Sequence, residues 1–425
     1  MTSRERIQAA LNHRQPDRVP VDFGSSPVSG IAVGAVYRLR KALGLLKPGD
    51  RVKVAEPYQM LGEIEPDLMD ILYSDCAGVG VGLNRIGVPN ADWKPWTTFD
   101  GAEVLVPGLF NTEPEENGDI LQYPEGDRSC RPGLRMPKGG FYHDAVIRQK
   151  PIVEDALDPA DNLEEFGLIA DEYLDEIAVK TAWLEENTDR AILFSMPGSS
   201  LGNVAAVPGS WMRDPKGIRD IEEWYVSHML RPDYIKEVYA RQTDTTLDNL
   251  VRVKEAAGNR IDIIYLTGTD FGGQRGPLFS ADMYRDMYKP NFQRVCGWIH
   301  ENTTWKTMIH TCGGVRELLD DIIESGFDIV NPVQTSAEGM DPKELKRNFG
   351  ARVVFHGGGV DTQKTLPHGR PEDVYDEVSE RIAILNEGGG YIFNTIHNIQ
   401  SDVPVENIIA MLKAIGDSAG KTVAG

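Results

Sequence analysis

Apolar runs that stop at a glycine or a polar residue recur down the whole chain, and helical patterns fill the spaces between them. Eight such runs read as buried strands: Val19 to Phe23, Cys76 to Val81, Ala191 to Met196, Ile261 to Leu266, Trp305 to Ile309, Phe327 to Val330, Arg352 to Phe355 and Tyr391 to Phe393. Among the helices, Val315, Leu318, Leu319, Ile322 and Ile323 keep the spacing of one buried face, and Gly326 ends that element. Another helix runs from Pro371 through Val374, Val378, Ile382 and Leu385 to Gly388-Gly389-Gly390, where it hands over to the strand at Tyr391. The last helix has Pro404 in its first turn and carries Ile408, Met411, Leu412 and Ile415. A short helix, Ser3 to Asn12, precedes the first strand. Alternating strands and helices with eight strands predict an α/β fold, a TIM (β/α)8 barrel spanning residues 1–425 as a single domain.

One stretch breaks the alternation. From Asn84 to Pro151 the chain is rich in Gly, Pro and charge, with short β-like pieces such as Glu103-Val104-Leu105-Val106. It exceeds the length of an ordinary connecting loop, so residues 84–151 are expected to form an insertion after the second strand, a small β subdomain or a lid near the active-site face. The acidic segment from Asp155 to Glu186 reads as a solvated helical region.

Composition narrows the class without choosing a reaction. With 41% apolar and 26% charged residues the chain is globular, and its net charge of −21 argues against a nucleic acid or an anionic lipid surface as partner. The start Met1-Thr2-Ser3-Arg4-Glu5-Arg6 lacks the apolar run of a signal peptide, and no apolar stretch is long enough for a membrane helix. A cytoplasmic location is expected. Four cysteines, at 76, 130, 296 and 312, form no evident disulfide framework.

In a barrel of this type the reactive groups sit where strands end. The fourth strand releases Thr269-Asp270-Phe271-Gly272-Gly273-Gln274-Arg275, and the fifth releases His310-Thr311-Cys312-Gly313-Gly314. The sixth ends in Asn331-Pro332-Val333-Gln334, the seventh in His356-Gly357-Gly358-Gly359-Val360-Asp361, and the eighth in Asn394-Thr395-Ile396-His397-Asn398. On an extended segment His310 and Cys312 share one face, so a third N, O or S donor would complete an open zinc site. The pair alone is a weak signal and reads more readily as a hydrogen-bonded core histidine beside a small buried thiol. Asp270 fits an acid, a base, a fourth ligand or the cap of its own turn; Gln274 and Arg275 fit the orientation of a polar substrate or an internal ion pair. His356 leads a glycine run that lets a ligand approach the backbone or makes a tight turn. Cys296 and His300 share a helical face, but Val295, Trp298 and Ile299 around them mark it as core.

Over His310 to Asp361 and on to His397, with Arg4 to Asp22 at the start, the chain resembles the uroporphyrinogen decarboxylase superfamily. That superfamily holds the decarboxylase itself and zinc-dependent, corrinoid-linked methyltransferases, and its fold is a TIM barrel. The methyltransferase branch is marked by His-x-Cys after a late strand and a further cysteine after the last one. His310 and Cys312 match the first part; at the place of the last cysteine stands His397, similar in position to the histidine of the decarboxylase. The resemblance therefore implies the metal ligands His310, Cys312 and His397. The arginine-rich loop that would hold a polycarboxylate porphyrinogen is replaced by Phe23-Gly24-Ser25-Ser26-Pro27-Val28-Ser29-Gly30, which disfavours the decarboxylase reaction.

No Asp-x-His-x-x-Gly segment for holding a corrinoid is present, so that cofactor would arrive on a separate corrinoid protein. What the resemblance implies is thus a zinc-dependent methyltransferase, an O-demethylase moving a methyl group from a small methylated substrate to the cobalt of a partner's cobalamin-type cofactor. Phe271, Trp211, Trp93 and Trp96 suggest apolar walls and lean the substrate toward an aromatic methyl ether. Asp270 and His397 are the expected catalytic residues, and Gln274, Arg275, Asn331, Gln334, His356 and Asn394 the expected substrate-binding ones. A homodimer is compatible with this reading. The alternatives are a metal-independent decarboxylase or lyase of the same superfamily, with His397 and Asp270 doing acid–base work, and a non-catalytic protein that binds a corrinoid or tetrapyrrole.

Overall fold

Seven of the apolar runs pair in parallel and in chain order: Cys76–Val79, Ala191–Ser195, Ile263–Thr267, Lys306–His310, Ile329–Asn331, Val354–His356 and Tyr391–Ile392. The computed structural model that shows this describes residues 1–419. The remaining run closes the ring at one residue, since Val21 bridges Phe393 on one side and Ser74 on the other, both in parallel. Its ladder is short for a physical reason. Pro20 has no N–H to give, and the Val21 N–H goes to the Asp75 carboxylate at 3.0 Å instead of to a neighbouring strand. Asp75 is in turn gripped by Arg6 and Arg18, each at 2.7 Å, which satisfies a carboxylate that is fully buried.

The interior of the barrel has two unlike layers. Toward the strand starts, Cys76, Leu193, Ile263, Met308, Ile329, Val354 and Ile392 form an apolar floor, and Ile7, Ala10 and Leu11 of helix Ser3–Leu11 plug it from below. Two residues further along four of those strands the side chain on the same face is polar: Met308 gives way to His310, Ile329 to Asn331, Val354 to His356 and Ile392 to Asn394. Register keeps the layers level, with Met308 opposite Ile329 and His310 opposite Asn331. The polar layer therefore lies at the carboxyl ends of the strands, under the mouth.

The outer helices pack as their periodicity predicts, with Val374, Val378, Ile382 and Leu385 of Pro371–Leu385 all buried. Two details differ. The element around Val315 is shorter than expected, a 3-10 turn at Arg316–Leu318 followed by Leu319–Glu324, and Pro404 caps the last helix, Val405–Ser418, rather than entering it. Gly326 is demanded where it stands: φ is +98°, and a Cβ there would meet the Cβ of Cys296 at 2.6 Å.

The acidic segment is helical only over Asp171–Asn187. Upstream, the chain makes 3-10 turns at Glu154–Ala156 and Pro159–Asn162, because Asn162 exchanges two buried hydrogen bonds with Ile218 and the buried Arg219 holds Glu165 at 2.7 Å. These contacts draw it into the core and away from a solvated helix. The stretch after the second barrel strand carries five short strands. Lys94–Thr97 and Glu103–Val106 join Val52–Glu56 and Leu61–Gly62 in one sheet, while Ile120–Gln122, Leu134–Met136 and Asp144–Ala145 make another. The first sheet is thus shared with the connection between the first and second barrel strands, a pairing the periodicity did not reveal. Among the described residues no helix is long and apolar enough to cross a membrane.

Candidate metal centre

The fifth strand ends at His310, and the loop that follows lies backbone to backbone on the loop after the fourth. Phe271 N–H donates to Thr311 Oγ1 at 2.9 Å, Cys312 N–H to Asp270 Oδ1 at 2.8 Å, and Gly314 N–H to the Gly273 carbonyl at 2.8 Å. From the other side Gly313 N–H donates to Gln334 Oε1 at 2.7 Å. Approach this close needs glycine on both loops: Gly313 has φ of +87°, and a Cβ on it would sit 2.2 Å from the Gly272 carbonyl carbon. The loop so fixed returns Cys312 Sγ to 3.3 Å from His310 Nε2.

His397, on the segment after the eighth strand, completes the group. Its ring centroid is 5.7 Å from that of His310 at an interplanar angle of 73°, and one donor atom from each of His310, Cys312 and His397 lies within 4.8 Å of the others. Ligands of a tetrahedral zinc ion stand roughly 3.3–3.8 Å apart, given metal–nitrogen and metal–sulfur distances of about 2.0 and 2.3 Å. Two imidazoles and a thiol at this spacing fit zinc, with a fourth position left over.

The electrostatics suit a metal as well. Burial first, and the neighbouring His310 second, lower the His397 imidazole to about 4, and burial likewise lowers that of His310 against the opposing pull of Asp270. Burial and then the Asp270 carboxylate push the Cys312 thiol well up. Without a metal the trio at neutral pH is two neutral rings and a protonated thiol, and a cation is what would favour the thiolate. Asp270 itself is about one-third exposed and stands 4.0 Å from His310 Nε2, so it caps the Cys312 loop and faces the ligands at once.

A cavity of about 300 Å³ opens in front of Cys312 and His397. Gln274 and Gln334 line it; Thr362, Gln363 and Ile396, which no sequence pattern singled out, line it too. The Asp361 carboxylate accepts from the Gln363 backbone N–H at 2.7 Å and holds that turn of the loop after the seventh strand. Tyr265 is another unforeseen neighbour. It lies two residues past Ile263 on the fourth strand, and the charges of Arg85, Asp270 and Cys312 all bear on its phenol, which burial pushes up.

Other expected substrate groups are placed elsewhere. Arg275 is exposed at the tip of the hairpin formed by Gly272–Gly273 and Gly276–Pro277, outside the cavity wall. Asn331 and His356 are fully buried behind His310, and Asn394 is buried with its amide donating to the Asp22 carbonyl; the period-two geometry of their strands turns all of them into the barrel interior, and none lines the cavity. The apolar wall is also corrected. Phe271 packs into an aromatic core with Phe279, Tyr284 and Tyr288, Trp96 packs on Phe99 and Phe110, and Trp93 lies under Lys53. Neither these side chains nor Trp211 line the cavity.

Comparison with known proteins bears on the fold and the family. The sequence model described as Uroporphyrinogen decarboxylase (URO-D) matches residues 209–417, a range that includes His310, Cys312 and His397. Uroporphyrinogen decarboxylase of Actinobacillus succinogenes is 33% identical over 27% of this chain and 30% of its own length, and that of Coxiella burnetii is 24% identical over 44% and 48%. Less than half of either relative is therefore spanned. Among solved structures, a methyltransferase from Methanosarcina mazei superposes with a TM-score of 0.56 over 98% of this chain and 99% of its own, at 16% identity, which is a likeness of fold.

Proposed function

We propose that this chain belongs to the uroporphyrinogen decarboxylase superfamily and, within it, is a zinc-dependent methyltransferase that takes a methyl group from a small methylated substrate and delivers it to the cobalt of a corrinoid on a separate protein. The observation that carries the reading is the convergence of His310, Cys312 and His397 within 4.8 Å at the wall of a substrate-sized cavity. Zinc held by that trio would supply a Lewis acid for the heteroatom that gives up the methyl group. Gln334 spends its carbonyl end on Gly313 and keeps its amide N–H groups for a ligand, and Gln274 and Gln363 add further amides around the same space. Asp270 is the nearest group for holding or moving a proton at the substrate heteroatom. Arg275 would meet substrate or partner at the rim. With the aromatic side chains packed elsewhere, the walls favour a small methylated compound carrying hydrogen-bond acceptors, and an aromatic methyl ether is one member of that class.

The decarboxylase reading draws less support. The segment from Phe23 to Gly30 contains no arginine, and its serines are already engaged, Ser26 Oγ lying 3.0 Å from Ser29 Oγ and Ser25 Oγ donating to Asp22. We read residues 84–151 as a cover beside the mouth, and the free cysteines as fitting a cytoplasmic setting. Turnover of methylated substrates with a methyl-accepting corrinoid protein, before and after removal of metal by a chelator, tests the proposal. Activity lost on chelation and restored by zinc is expected; activity indifferent to chelation would favour the metal-independent lyase.

A further inference from the structure

Behind His310 a line of buried polar side chains crosses the barrel interior, from Asn331 on the sixth strand to His356 on the seventh and Asp22 and Ser25 after the first. Asn331 Oδ1 lies 2.6 Å from His310 Nδ1, and Asn331 Nδ2 lies 2.6 Å from His356 Nδ1 and 3.2 Å from the His356 carbonyl oxygen. His356 Nε2 is 3.0 Å from Asp22 Oδ2, which also accepts from Ser25 Oγ at 2.7 Å. All five side chains are buried, so water offers none of them a ready alternative.

We infer that Asn331 is a positioning residue that holds His310 in the tautomer a metal requires, and that the His356 carbonyl sets the direction of the whole line. The purpose assigned here rests on the metal reading above; the direction does not. The two imidazole contacts alone would allow the amide to sit either way, since a ring nitrogen can donate or accept. A carbonyl oxygen only accepts. The amide N–H end must therefore face His356, which leaves Asn331 Oδ1 facing His310 as an acceptor. His310 then carries its proton on Nδ1 and keeps the lone pair of Nε2 toward Cys312 and His397. On the far side His356 Nδ1 accepts from the amide, its proton sits on Nε2, and that N–H donates to Asp22. The competing tautomer of His310 would place a proton on Nε2, where Cys312 Sγ at 3.3 Å would accept it and close the ligand site with a hydrogen bond. Asn331 removes that competitor.

Nitrogen-15 NMR of the metal-free protein with labelled histidine tests the direction without any variant, the His310 signals being identified by their loss in His310→Gln. Protonated Nδ1 and unprotonated Nε2 are expected at His310, with the reverse at His356; a proton on His310 Nε2 would overturn the inference. Zinc affinity by competition with a chromophoric chelator tests the purpose. Asn331→Leu should weaken binding about 10- to 100-fold, whereas Asn331→Asp, which still accepts from His310 Nδ1, should stay within a few-fold of the parent. Equal losses in both variants, or none in Asn331→Leu, would contradict a positioning role. A wild-type protein with the expected tautomers but no zinc would sink the metal reading and leave the direction of the line standing.

Discussion

At Cys312 and its two histidine neighbours, protonation and the proposed metal binding would be one equilibrium. His310 and His397 lie below the ordinary histidine range and have no proton to lose at pH 7, while the Cys312 thiol lies above its own and does. Zinc binding at pH 7 should therefore release about one proton, measured by calorimetry in buffers of different ionisation heat, and Cys312→Ser should abolish the release. A release near zero in the parent would exclude the thiol as ligand. A second residue, His143, predicts the acid limb of stability. It is buried against the edge of Phe110, its Nε2 has no hydrogen-bond partner, and burial lowers it to about 4. The unfolded chain takes up that proton near pH 6.5 and the folded chain near 4, so the unfolded state binds more protons in between, and stability falls as pH drops through that window by roughly 3 kcal/mol from this group. Denaturant titrations at a series of pH values should show the slope, and His143→Phe should flatten it. The polar strand ends were legible in sequence, but which way they face was not taken from it. Ile329 followed two residues later by Asn331 already points the amide into the barrel, where it meets His310, and the same spacing turns His356 and Asn394 inward.

Among the elements, long buried strands and amphipathic helices announce themselves, because each must repeat a pattern over several residues to bury a face. Short strands whose partners come from distant parts of the chain do not. Val52–Glu56 pairs with Glu103–Val106 across a whole barrel strand, and nothing local to either predicts the other. The two loops at the ligands are a different case, since their glycine pairs were visible and only their mutual contact was not. Gly313→Ala should cost about 1–3 kcal/mol from its positive φ and the clash with Gly272, and should weaken zinc binding more than it lowers the melting temperature of the metal-free protein. Unchanged zinc affinity in that variant would mean that the two loops do not need their present contact to present Cys312.

For the whole molecule the division into an apolar floor and a polar mouth is the main organising fact. Helix Ser3–Leu11 is a plug, with Ile7 wholly buried against the floor and Arg6 tied to Asp75. Ile7→Ala should lower stability by about 2–5 kcal/mol, read from denaturant unfolding, while leaving zinc affinity unchanged because the ligands stand in the other layer. The third proposed ligand, His397, was reached from the family resemblance rather than from spacing, and the proposed zinc site turns on it. X-ray absorption at the zinc edge of the purified, zinc-loaded protein is the decisive measurement of that site. One zinc per chain is predicted, bound by a single sulfur at about 2.3 Å and two imidazoles at about 2.0 Å, with one imidazole lost in His397→Ala. A protein that retains no zinc, or a zinc shell with two sulfurs or unaltered by His397→Ala, would contradict it.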